Sequence, residues 1–364
     1  MTRDANAIHV IVSQVIAVDI NPATRDVVTG TERYTRELCS RLRAAAPDLA
    51  FRFFASRPKS DLGVDVTVLP FRRLWSQVRL PIALAGARPD LLFVPGHSLP
   101  FAWTGRALAV VHDLAFERHP EAYSAAQRLH LQLTTRWAVS RCRLLIAVSE
   151  STRNDLASLY GANPSRIRVV PHGGGEAPHA RAASASQLGA LGLTGDFVLQ
   201  VGRVEARKNQ LAALAAVERV PGLTLAVAGP EVDSGLAVKL RASNACRVLG
   251  RVDDATLELL YKRAKAVVVP SLYEGFGLPV LEAMARGQVV VAARRSSLPE
   301  VGGDAILYVD DPGDAAAFTF VLQRALAGGE ARAAITRRAL KRAREFTWDR
   351  CAQQTAAVIR EALG

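Results

Sequence analysis

The sequence contains few cysteines, and they stand alone. Four occur in 364 residues, at Cys39, Cys142, Cys246 and Cys351, and no two form a Cys-x-x-Cys pair. Disulfide frameworks and zinc sites need cysteines that are paired or regularly spaced. We therefore expect four free thiols, and neither a disulfide framework nor a zinc site.

Long apolar runs are also absent. No stretch of 18 uncharged apolar residues occurs, and the segment from Ile8 to Ile20 is interrupted by Ser13, Gln14 and Asp19. A segment of that kind has the length of a strand rather than of a membrane span. Because the N-terminus also lacks the layout of a signal peptide, we expect a cytoplasmic protein, and we leave open peripheral contact with the inner face of a membrane.

The sequence also lacks a paired acidic motif that could bind a divalent metal. No Asp-x-Asp sequence stands where a strand runs into a loop, and Asp310-Asp311 is followed by Pro312-Gly313, which indicates a turn. We therefore expect no bound metal and no other cofactor.

Positive charge is abundant but dispersed. The net charge is +12, from 46 Lys and Arg against 34 Asp and Glu, and both halves of the chain contribute. The densest basic segment, from Arg337 to Arg344, fits the solvated face of a helix, and no nucleic-acid-binding motif accompanies it. We take the charge as mild support for contact with an anionic membrane and predict no nucleic-acid partner.

The length and the pattern of apolar residues predict two α/β domains. A chain of 364 residues is too long for one ordinary core, and short β-branched runs alternate with helical patterns, as in doubly wound parallel sheets. The predicted strands are His9–Asp19, Phe51–Ala55, Val66–Leu69, Leu91–Val94, Ala107–His112 and Leu144–Ser149 in the first half, and Asp196–Gly202, Leu223–Gly229, Cys246–Leu249, Ala266–Pro270, Val289–Ala292 and Ala305–Val309 in the second.

A segment without periodicity separates the two series of strands. Val170 to Leu188 is rich in Gly, Pro, Ala and Ser, which indicates a linker. We place the first domain at residues 1–175 and the second at residues 176–345. Residues 346–364 begin with Phe346-Thr-Trp348 and continue as an amphipathic helix through Leu363.

The most informative segment runs from Ser271 to Gly287. It follows a predicted strand and leads through a glycine-containing loop into a helix that begins near Pro279, a geometry that offers free N–H groups and a positive dipole end to phosphate. Two carboxylates flank the loop, Glu274 within it and Glu282, which we expect in the first helical turn. A structural alternative exists, because helix dipoles favour a Glu in the first turn without any ligand.

A second constellation lies at the end of another predicted strand. Arg203 and Lys208 are five residues apart, and we expect them to converge on one diphosphate from a loop and from a first helical turn. Cations at a helix N-terminus oppose the dipole, and a bound anion would remove that cost.

Three weaker signals accompany these motifs. Gly30 follows the first strand, although Thr31 could simply cap the next helix. His112-Asp113 ends the fifth strand, where a lone His is more often structural than catalytic. Arg251 and Val252 follow the strand that ends at Leu249, in a turn where Asp253 or Asp254 could cap the next helix.

These motifs together resemble those of the large family of retaining glycosyltransferases with the GT-B fold, in which two Rossmann-like doubly wound domains enclose a cleft. The Glu274-x7-Glu282 segment matches the family signature, and Arg203-x4-Lys208 matches its diphosphate clamp. The resemblance covers nearly the whole chain. It implies a donor site in the second domain, an acceptor site in the first, and a C-terminal helix that crosses back onto the first domain.

The resemblance also implies roles for the individual residues. Glu274 would meet hydroxyl groups of the donor sugar, and Glu282 would bind the ribose. His112 and Asp113 match a His-Asp-Leu segment that lies beside the reacting sugar in mannosyltransferase-like members, and His172 replaces an Asn in a turn that we regard as structural. The remaining donor-binding positions implied are Gly30, where the family often has Gly-x-Gly, the loop residues Gly275, Phe276, Gly277 and Leu278, and Arg251 and Val252, whose backbone would read the nucleobase.

We therefore expect a retaining, metal-independent hexosyltransferase, with mannose from GDP-mannose as the best candidate donor and a saccharide or lipid-linked saccharide as acceptor. A UDP-sugar-dependent transferase of the same fold and a non-catalytic nucleotide-sugar-binding protein are the alternatives. An epimerase or phosphorylase of similar fold is less well supported, because no pyridoxal-lysine segment and no epimerase-type His/Glu set is present.

Overall fold

The apolar runs predicted as strands build two parallel β-sheets. The structure is a computed structural model that describes residues 14–25, 29–71, 74–96, 98–176, 183–184 and 186–364. The strands of the first sheet are β1 (Val15–Asp19), β2 (Ala50–Ala55), β3 (Val66–Val68), β4 (Leu91–Val94), β5 (Ala107–Val111), β6 (Leu144–Ala147) and β7 (Ile167–Val169). Those of the second are β8 (Phe197–Val201), β9 (Thr224–Ala228), β10 (Cys246–Gly250), β11 (Val267–Val269), β12 (Val290–Ala293) and β13 (Leu307–Val309).

Both sheets reverse their strand order at a central point. The order is β3-β2-β1-β4-β5-β6-β7 in the first sheet and β10-β9-β8-β11-β12-β13 in the second. In such sheets, ligands bind outside the carboxyl ends of the strands at the point of reversal. A ligand is therefore expected at the loops that follow β1 and β4 in one sheet and β8 and β11 in the other.

Helices cover both faces of the two sheets and bury their central strands. In the described residues they are α1 (Gly30–Ala45), α2 (Leu80–Ala87), α3 (Ala115–Arg118), α4 (Ala125–Arg141), α5 (Glu150–Tyr160), α6 (Ser186–Ala190), α7 (Gln210–Val217), α8 (Ser234–Arg241), α9 (Asp254–Arg263), α10 (Leu278–Ala285), α11 (Leu298–Gly302), α12 (Ala315–Leu326), α13 (Gly329–Ala343) and α14 (Trp348–Leu363). Every residue of β5 and β12 is buried, as expected for strands covered on both faces. None of these helices is long and apolar enough to cross a membrane.

The C-terminal helix packs against the first sheet's domain. α14 lies against α1 and behind β4, β5 and β6. The chain reaches it through a crossing that contacts the segment after β7, because Gly175 donates its N–H to the Phe346 carbonyl at 2.8 Å. A Cβ at Gly175 would lie 1.8 Å from the Ala343 carbonyl oxygen, so this contact requires glycine.

The predicted strands correspond to strands of the structure, with two differences. The first predicted strand begins at His9, and residues 9–13 lie outside the described part of the chain. β7 was not predicted, because it is only three residues long and Arg168 interrupts its apolar pattern. The predicted linker also includes the start of α6, while residues 177–182 and 185 of that segment are not described. The four cysteines are free, as predicted, and all four are buried.

Candidate active site

The loop after β11 and the end of β5 meet at a glycine. A Cβ at Gly275 would lie 1.9 Å from the His112 carbonyl oxygen and 2.7 Å from the Asp113 Cβ, so only a residue without a side chain permits this approach. The two segments come from different domains and from opposite halves of the sequence. The fold thus brings the three predicted catalytic residues, His112, Asp113 and Glu274, to the two sides of this contact.

Glu274 lies in a buried cluster of cations and hydroxyl groups. Its Oε1 accepts from Lys208 Nζ at 2.5 Å and from Ser271 Oγ at 2.8 Å, and its Oε2 is 3.6 Å from the Arg207 guanidinium. Burial alone would raise the pKa of Glu274, but the charges of Lys208 and Arg207 outweigh it and lower the pKa. Glu274 is therefore an ionised carboxylate at neutral pH.

The predicted diphosphate clamp differs in its local structure from our expectation. Lys208 does not lie in the first turn of a helix but ends a short 3₁₀ helix, Ala206–Lys208, and α7 begins two residues later after Asn209, whose φ is 53°. Arg203 has a side chain that is 41% exposed, with its Nε 3.4 Å from Glu205. The buried cation next to Lys208 is Arg207, which the sequence analysis did not single out.

Serine hydroxyls fix the peptide orientations of the loop between β11 and α10. Ser297 Oγ is 2.8 Å from the carbonyl oxygens of both Glu274 and Phe276, and Ser149 Oγ from the first domain is 2.7 Å from that of Gly275. In a trans peptide the following N–H points away from the carbonyl. The N–H groups of residues 275, 276 and 277 therefore point away from these serines. The Phe276 ring packs on His172, so only the backbone of Phe276 can face a ligand.

Glu282 lies one residue further into its helix than predicted. α10 begins at Leu278, after Gly277 with φ 103°, which places Glu282 in the second turn rather than the first. One carboxylate oxygen pairs with Arg33 of α1, and the other accepts from Tyr261 Oη at 2.8 Å. The carboxylate therefore links the second domain to the first.

The first residues of α1 and α10 face each other. A Cβ at Gly30 would lie 3.5 Å from Leu278 Cδ1, so the predicted donor-binding Gly30 is next to the predicted loop. Thr29, and not Thr31, caps α1, in a reciprocal arrangement with Glu32. Residues 26–28, which precede this cap, lie outside the described part of the chain.

His112 is held by two hydrogen bonds to the protein. Its Nε2 is 2.8 Å from the Pro95 carbonyl oxygen, and its Nδ1 is 3.3 Å from His172 Nε2. Since a carbonyl can only accept, we assign the proton of His112 to Nε2, and His172 then donates to Nδ1. Both ring nitrogens are thus engaged, and it is the main chain of His112 that contacts Gly275. His172, predicted to be only part of a structural turn, fixes the orientation of His112.

The turn after β10 lies at the carboxyl edge of the second sheet. Gly250 ends the strand with φ 65°, Arg251 is exposed and Val252 is half-buried. Asp253 caps α9 by accepting from the Thr256 N–H at 2.7 Å, as predicted for one of the two aspartates. In the strand order β9 separates β10 from β8, so this turn and the segment with Arg203 and Lys208 both lie at the carboxyl edge of the sheet.

Comparison with known proteins decides the family. The sequence profile "Glycosyl transferases group 1" matches residues 189–342, and the profile "Glycosyltransferase Family 4" matches residues 28–173. The chain is similar to O-antigen chain mannosyltransferase B of Escherichia coli, with 31% identity over 69% of each chain. The chain belongs to the group 1, family 4 glycosyltransferases.

Two further comparisons give another sequence relative and a solved structure of similar fold. D-inositol 3-phosphate glycosyltransferase of Mycobacterium leprae (strain Br4923) is 30% identical over 73% of this chain and 65% of that protein. The structure of HepE from Anabaena in complex with UDP and glucose superposes with a TM-score of 0.75 and 19% identity, covering 96% of this chain and 100% of that one. The glycosyltransferase therefore has the GT-B fold, and the matched relatives align over about two thirds of their own length.

Further contacts across the cleft of this glycosyltransferase were not predictable from its motifs. Tyr273 Oη donates to Asp155 at 2.7 Å and accepts from the Leu114 N–H at 3.1 Å. Glu300 accepts from two N–H groups at the start of α5, those of residues 150 and 151, each at 2.7 Å. A carboxylate at a helix N-terminus is favoured by the dipole, so this contact stabilises the juxtaposition of the two domains.

The described residues of the glycosyltransferase do not form a cluster of side chains that could bind a metal ion. No three His, Cys, Asp or Glu side chains converge within the described ranges. The charged groups that surround Glu274 in this part of the chain are instead the cations Lys208 and Arg207.

Proposed function

We propose that this glycosyltransferase transfers a hexose, with mannose from GDP-mannose as the leading candidate, to a saccharide or lipid-linked saccharide in polysaccharide, lipopolysaccharide or glycolipid assembly. The observation that supports the proposal is the ionised Glu274 beside Lys208, next to Gly275, which meets the His112 carbonyl across the cleft. Similarity to a mannosyltransferase of O-antigen chains supports the choice of mannose and of the acceptor class.

The donor would lie along the start of α10. Its ribose hydroxyls would bind Glu282, its diphosphate would meet the N–H groups of residues 275–278, and the turn at Arg251 and Val252 would contact the base. Lys208 and Arg203 would stabilise the charge that grows on the departing diphosphate. Glu274 would orient the sugar, because its carboxylate is already engaged by Lys208 and Ser271 and is poorly placed to act as a nucleophile.

The acceptor would attack from the first domain. Its hydroxyl would approach the anomeric carbon on the face that the diphosphate leaves, and the departing phosphate would accept the proton. This front-side displacement retains the anomeric configuration. The new bond joins the acceptor oxygen to the anomeric carbon, the bond to the phosphate oxygen breaks, and the proton passes to that phosphate.

Transfer should need no divalent metal, because fixed cations and helix N-termini can neutralise the leaving group in place of Mg²⁺ or Mn²⁺. Activity is therefore expected to survive EDTA. Loss of transfer in EDTA that returns on addition of Mn²⁺ would contradict this part of the proposal.

Peripheral contact with an anionic membrane fits a surface of the first domain. The apolar surface consists of Leu74, Val78, Ile82, Phe101, Leu129 and Leu133, each exposed by 40% or more. Its parts adjoin, because the Phe101 N–H donates to Gln77 at 3.0 Å and the Phe101 ring contacts Trp137, which follows Leu133 by one helical turn. Residues 71–88, 98–106 and 125–143, which carry this surface, contain nine arginines and no Asp or Glu. Apolar side chains amid such positive charge fit an anionic lipid surface.

A donor panel tests the proposed activity. Transfer of labelled sugar from GDP-mannose, GDP-glucose, UDP-glucose, ADP-glucose and dTDP-glucose to membrane extract and to free saccharides would be measured, with thermal shifts for the matching nucleotides. We expect Glu282→Gln to weaken nucleotide binding and Glu274→Gln chiefly to lower turnover, because an orienting contact counts more in the transition state. Preference for a UDP-sugar would replace the mannose assignment. Binding without turnover would indicate a non-catalytic binder.

A further inference from the structure

Arg33 of the first domain forms an ion pair with Glu282, the carboxylate to which we assign the donor ribose. The Arg33 guanidinium pairs with Glu282 Oε1, and Tyr261 Oη donates to Glu282 Oε2 at 2.8 Å. A ribose diol binds a carboxylate by donating hydrogen bonds to its oxygens. Both oxygens of Glu282 already have partners, so the diol must share with or replace one of them.

The two partners differ in their freedom to move. Tyr261 is fully buried, and its ring also lies under the Arg286 guanidinium at 4.5 Å. The Arg33 side chain is 31% exposed and extends from the end of the first turn of α1 towards the cleft. Arg33 is therefore the partner that a ribose can displace.

Among the described residues, the other carboxylate whose charge acts on Arg33 is Glu37, and it is already paired. Glu37, one turn further along α1, accepts from Arg41 at 2.7 Å, and Arg41 also pairs with Asp349. The N-terminus of α1 meets that of α10 at Gly30 and Leu278, where the diphosphate attached to the ribose would lie. The guanidinium fork matches phosphate oxygens in charge and in geometry.

We propose that Arg33 is a further donor-binding residue, which yields Glu282 to the ribose and pairs with the diphosphate. The inference rests on the proposed function, because it takes Glu282 as the ribose ligand. It adds a cation from the first domain to a donor site otherwise built from the second. Donor binding would thereby hold the two domains together through a ligand-bridged contact.

The test compares a ligand that has phosphates with one that has none. Binding of GDP would be measured by calorimetry, and binding of guanosine by competition against GDP, for the parent, Arg33→Ala and Arg33→Lys; UDP and uridine would replace them if the donor panel selects UDP. Arg33→Ala should weaken GDP binding by about tenfold or more. It should leave guanosine affinity unchanged or raise it, because Glu282 is freed for the ribose. Arg33→Lys, which keeps the charge, should retain most of the affinity for GDP.

A matched control lies on the same helix. Arg41→Ala also removes one positive charge from α1, but Arg41 pairs with Glu37 and Asp349 away from the cleft, so neither affinity should change. Circular dichroism and thermal unfolding would confirm that each variant is folded, and Arg33→Gln would replace Arg33→Ala if the latter is not.

The outcomes separate this inference from the proposed function. If Arg33→Ala changes GDP and guanosine affinity by the same factor, or changes neither, Arg33 does not bind the diphosphate. If the parent binds no nucleoside diphosphate at all, the proposed function fails instead. A loss of GDP affinity without a loss of guanosine affinity, together with parental affinities in Arg41→Ala, would establish Arg33 as a donor-binding residue.

Discussion

At the scale of single residues, each of the two carboxylates of the Glu-x7-Glu motif is paired with a cation. Glu274 has Lys208 and Glu282 has Arg33. The first pair was predictable in its members, because both belong to motifs with fixed spacing. The second was not, since Arg33 and Glu282 are 249 residues apart and no local pattern relates them. Arg207 was missed because it lies within the Arg203-x4-Lys208 motif, which is recognised by its first and last residues alone.

The first residue-scale prediction separates Lys208 from Arg203. Each alanine variant should reduce transfer on the order of a hundredfold, because each removes a charge that would stabilise the leaving group. Their stabilities should differ. Lys208→Ala deprives the buried Glu274 of its shortest contact and should cost about 2–3 kcal/mol of unfolding free energy, whereas Arg203→Ala, at an exposed side chain, should cost at most about 0.5 kcal/mol.

Steady-state kinetics and urea unfolding would be measured on the same preparations of these two variants. Near-parental rates for both would refute the assignment of the clamp. Equal losses of stability would refute the difference in burial on which the second half of the prediction depends.

The second residue-scale prediction concerns pH and the histidine pair. Burial lowers the pKa of His172 well below its usual value of 6.5, with further lowering from the charges of His112 and Arg33, and burial also lowers the pKa of His112. Below about pH 6.5 the unfolded chain therefore takes up protons that the folded chain does not. The stabilisation by these neutral rings is complete above that pH and is lost as the pH falls towards the folded-state values.

The measurement is urea unfolding at pH 7.5 and 5.5 for the parent and for His172→Asn, which keeps a donor to His112. The parent should lose about 1 kcal/mol more than the variant over this interval. Burial also raises the pKa of Asp19 to about 7, which acts in the opposite direction. Since both proteins contain Asp19, its effect cancels in the comparison. Parallel pH dependence would show that His172 does not titrate as inferred.

At the scale of elements, the alternation of strands and helices was predictable, and the ends of elements were less so. β-branched runs such as Val267–Val269 are too short and too apolar for any other role between two turns. The start of α10 was placed correctly at the Gly-Leu-Pro sequence, yet Glu282 lies in its second turn. Lys208 was assigned to an α-helix because a short 3₁₀ turn has no separate sequence signature. These errors shift element ends by one or two residues and leave the fold unchanged.

The element-scale prediction is that Gly275→Ala separates the loop from β5. Gly275 does not have a positive φ, so the backbone tolerates alanine, but the new Cβ would collide with the His112 carbonyl oxygen 1.9 Å away. The contact between domains must therefore widen, and transfer should fall by more than about tenfold, or ~1.4 kcal/mol. Unfolding free energy should fall by about 1–3 kcal/mol.

Gly86→Ala provides the matched control for this change, because a Cβ at Gly86 has open space around it. Kinetics, unfolding and small-angle scattering would be compared for the two variants. A Gly275→Ala protein with parental rate and parental dimensions would show that the two segments are not in close contact.

At the scale of the whole molecule, the sequence predicted two domains but not how they meet. The joining contacts pair residues that no motif connects, such as Tyr273 with Asp155 and Glu300 with the start of α5. The crossing at Gly175 and Ala343 likewise depends on a close backbone approach that composition cannot reveal. Motifs identify which residues a ligand needs, whereas shape complementarity between domains arises only when both are folded.

The whole-molecule prediction concerns the apolar surface of the first domain, Leu74, Val78, Ile82, Phe101, Leu129 and Leu133. The parent should sediment with vesicles that contain phosphatidylglycerol and much less with vesicles of phosphatidylcholine alone, since the segments that carry the surface contain arginines and no acidic residue. The double variant Leu74→Glu and Ile82→Glu places acidic groups where the side chains are 67% and 61% exposed. We expect it to lose at least about tenfold in vesicle binding, because insertion of both side chains is lost and like charges are brought together.

The control for vesicle binding is the double variant Val238→Glu and Phe320→Glu, which changes equally exposed apolar residues of the second domain and should bind vesicles as the parent does. Both double variants should transfer sugar to a short water-soluble acceptor at the parental rate, because neither pair lies in the cleft. Transfer to an acceptor embedded in vesicles should fall only for the first-domain variant. Parental vesicle binding by that variant would refute the surface, and a concentration-dependent dimer that the same substitutions dissociate would assign it to a second copy of the chain instead.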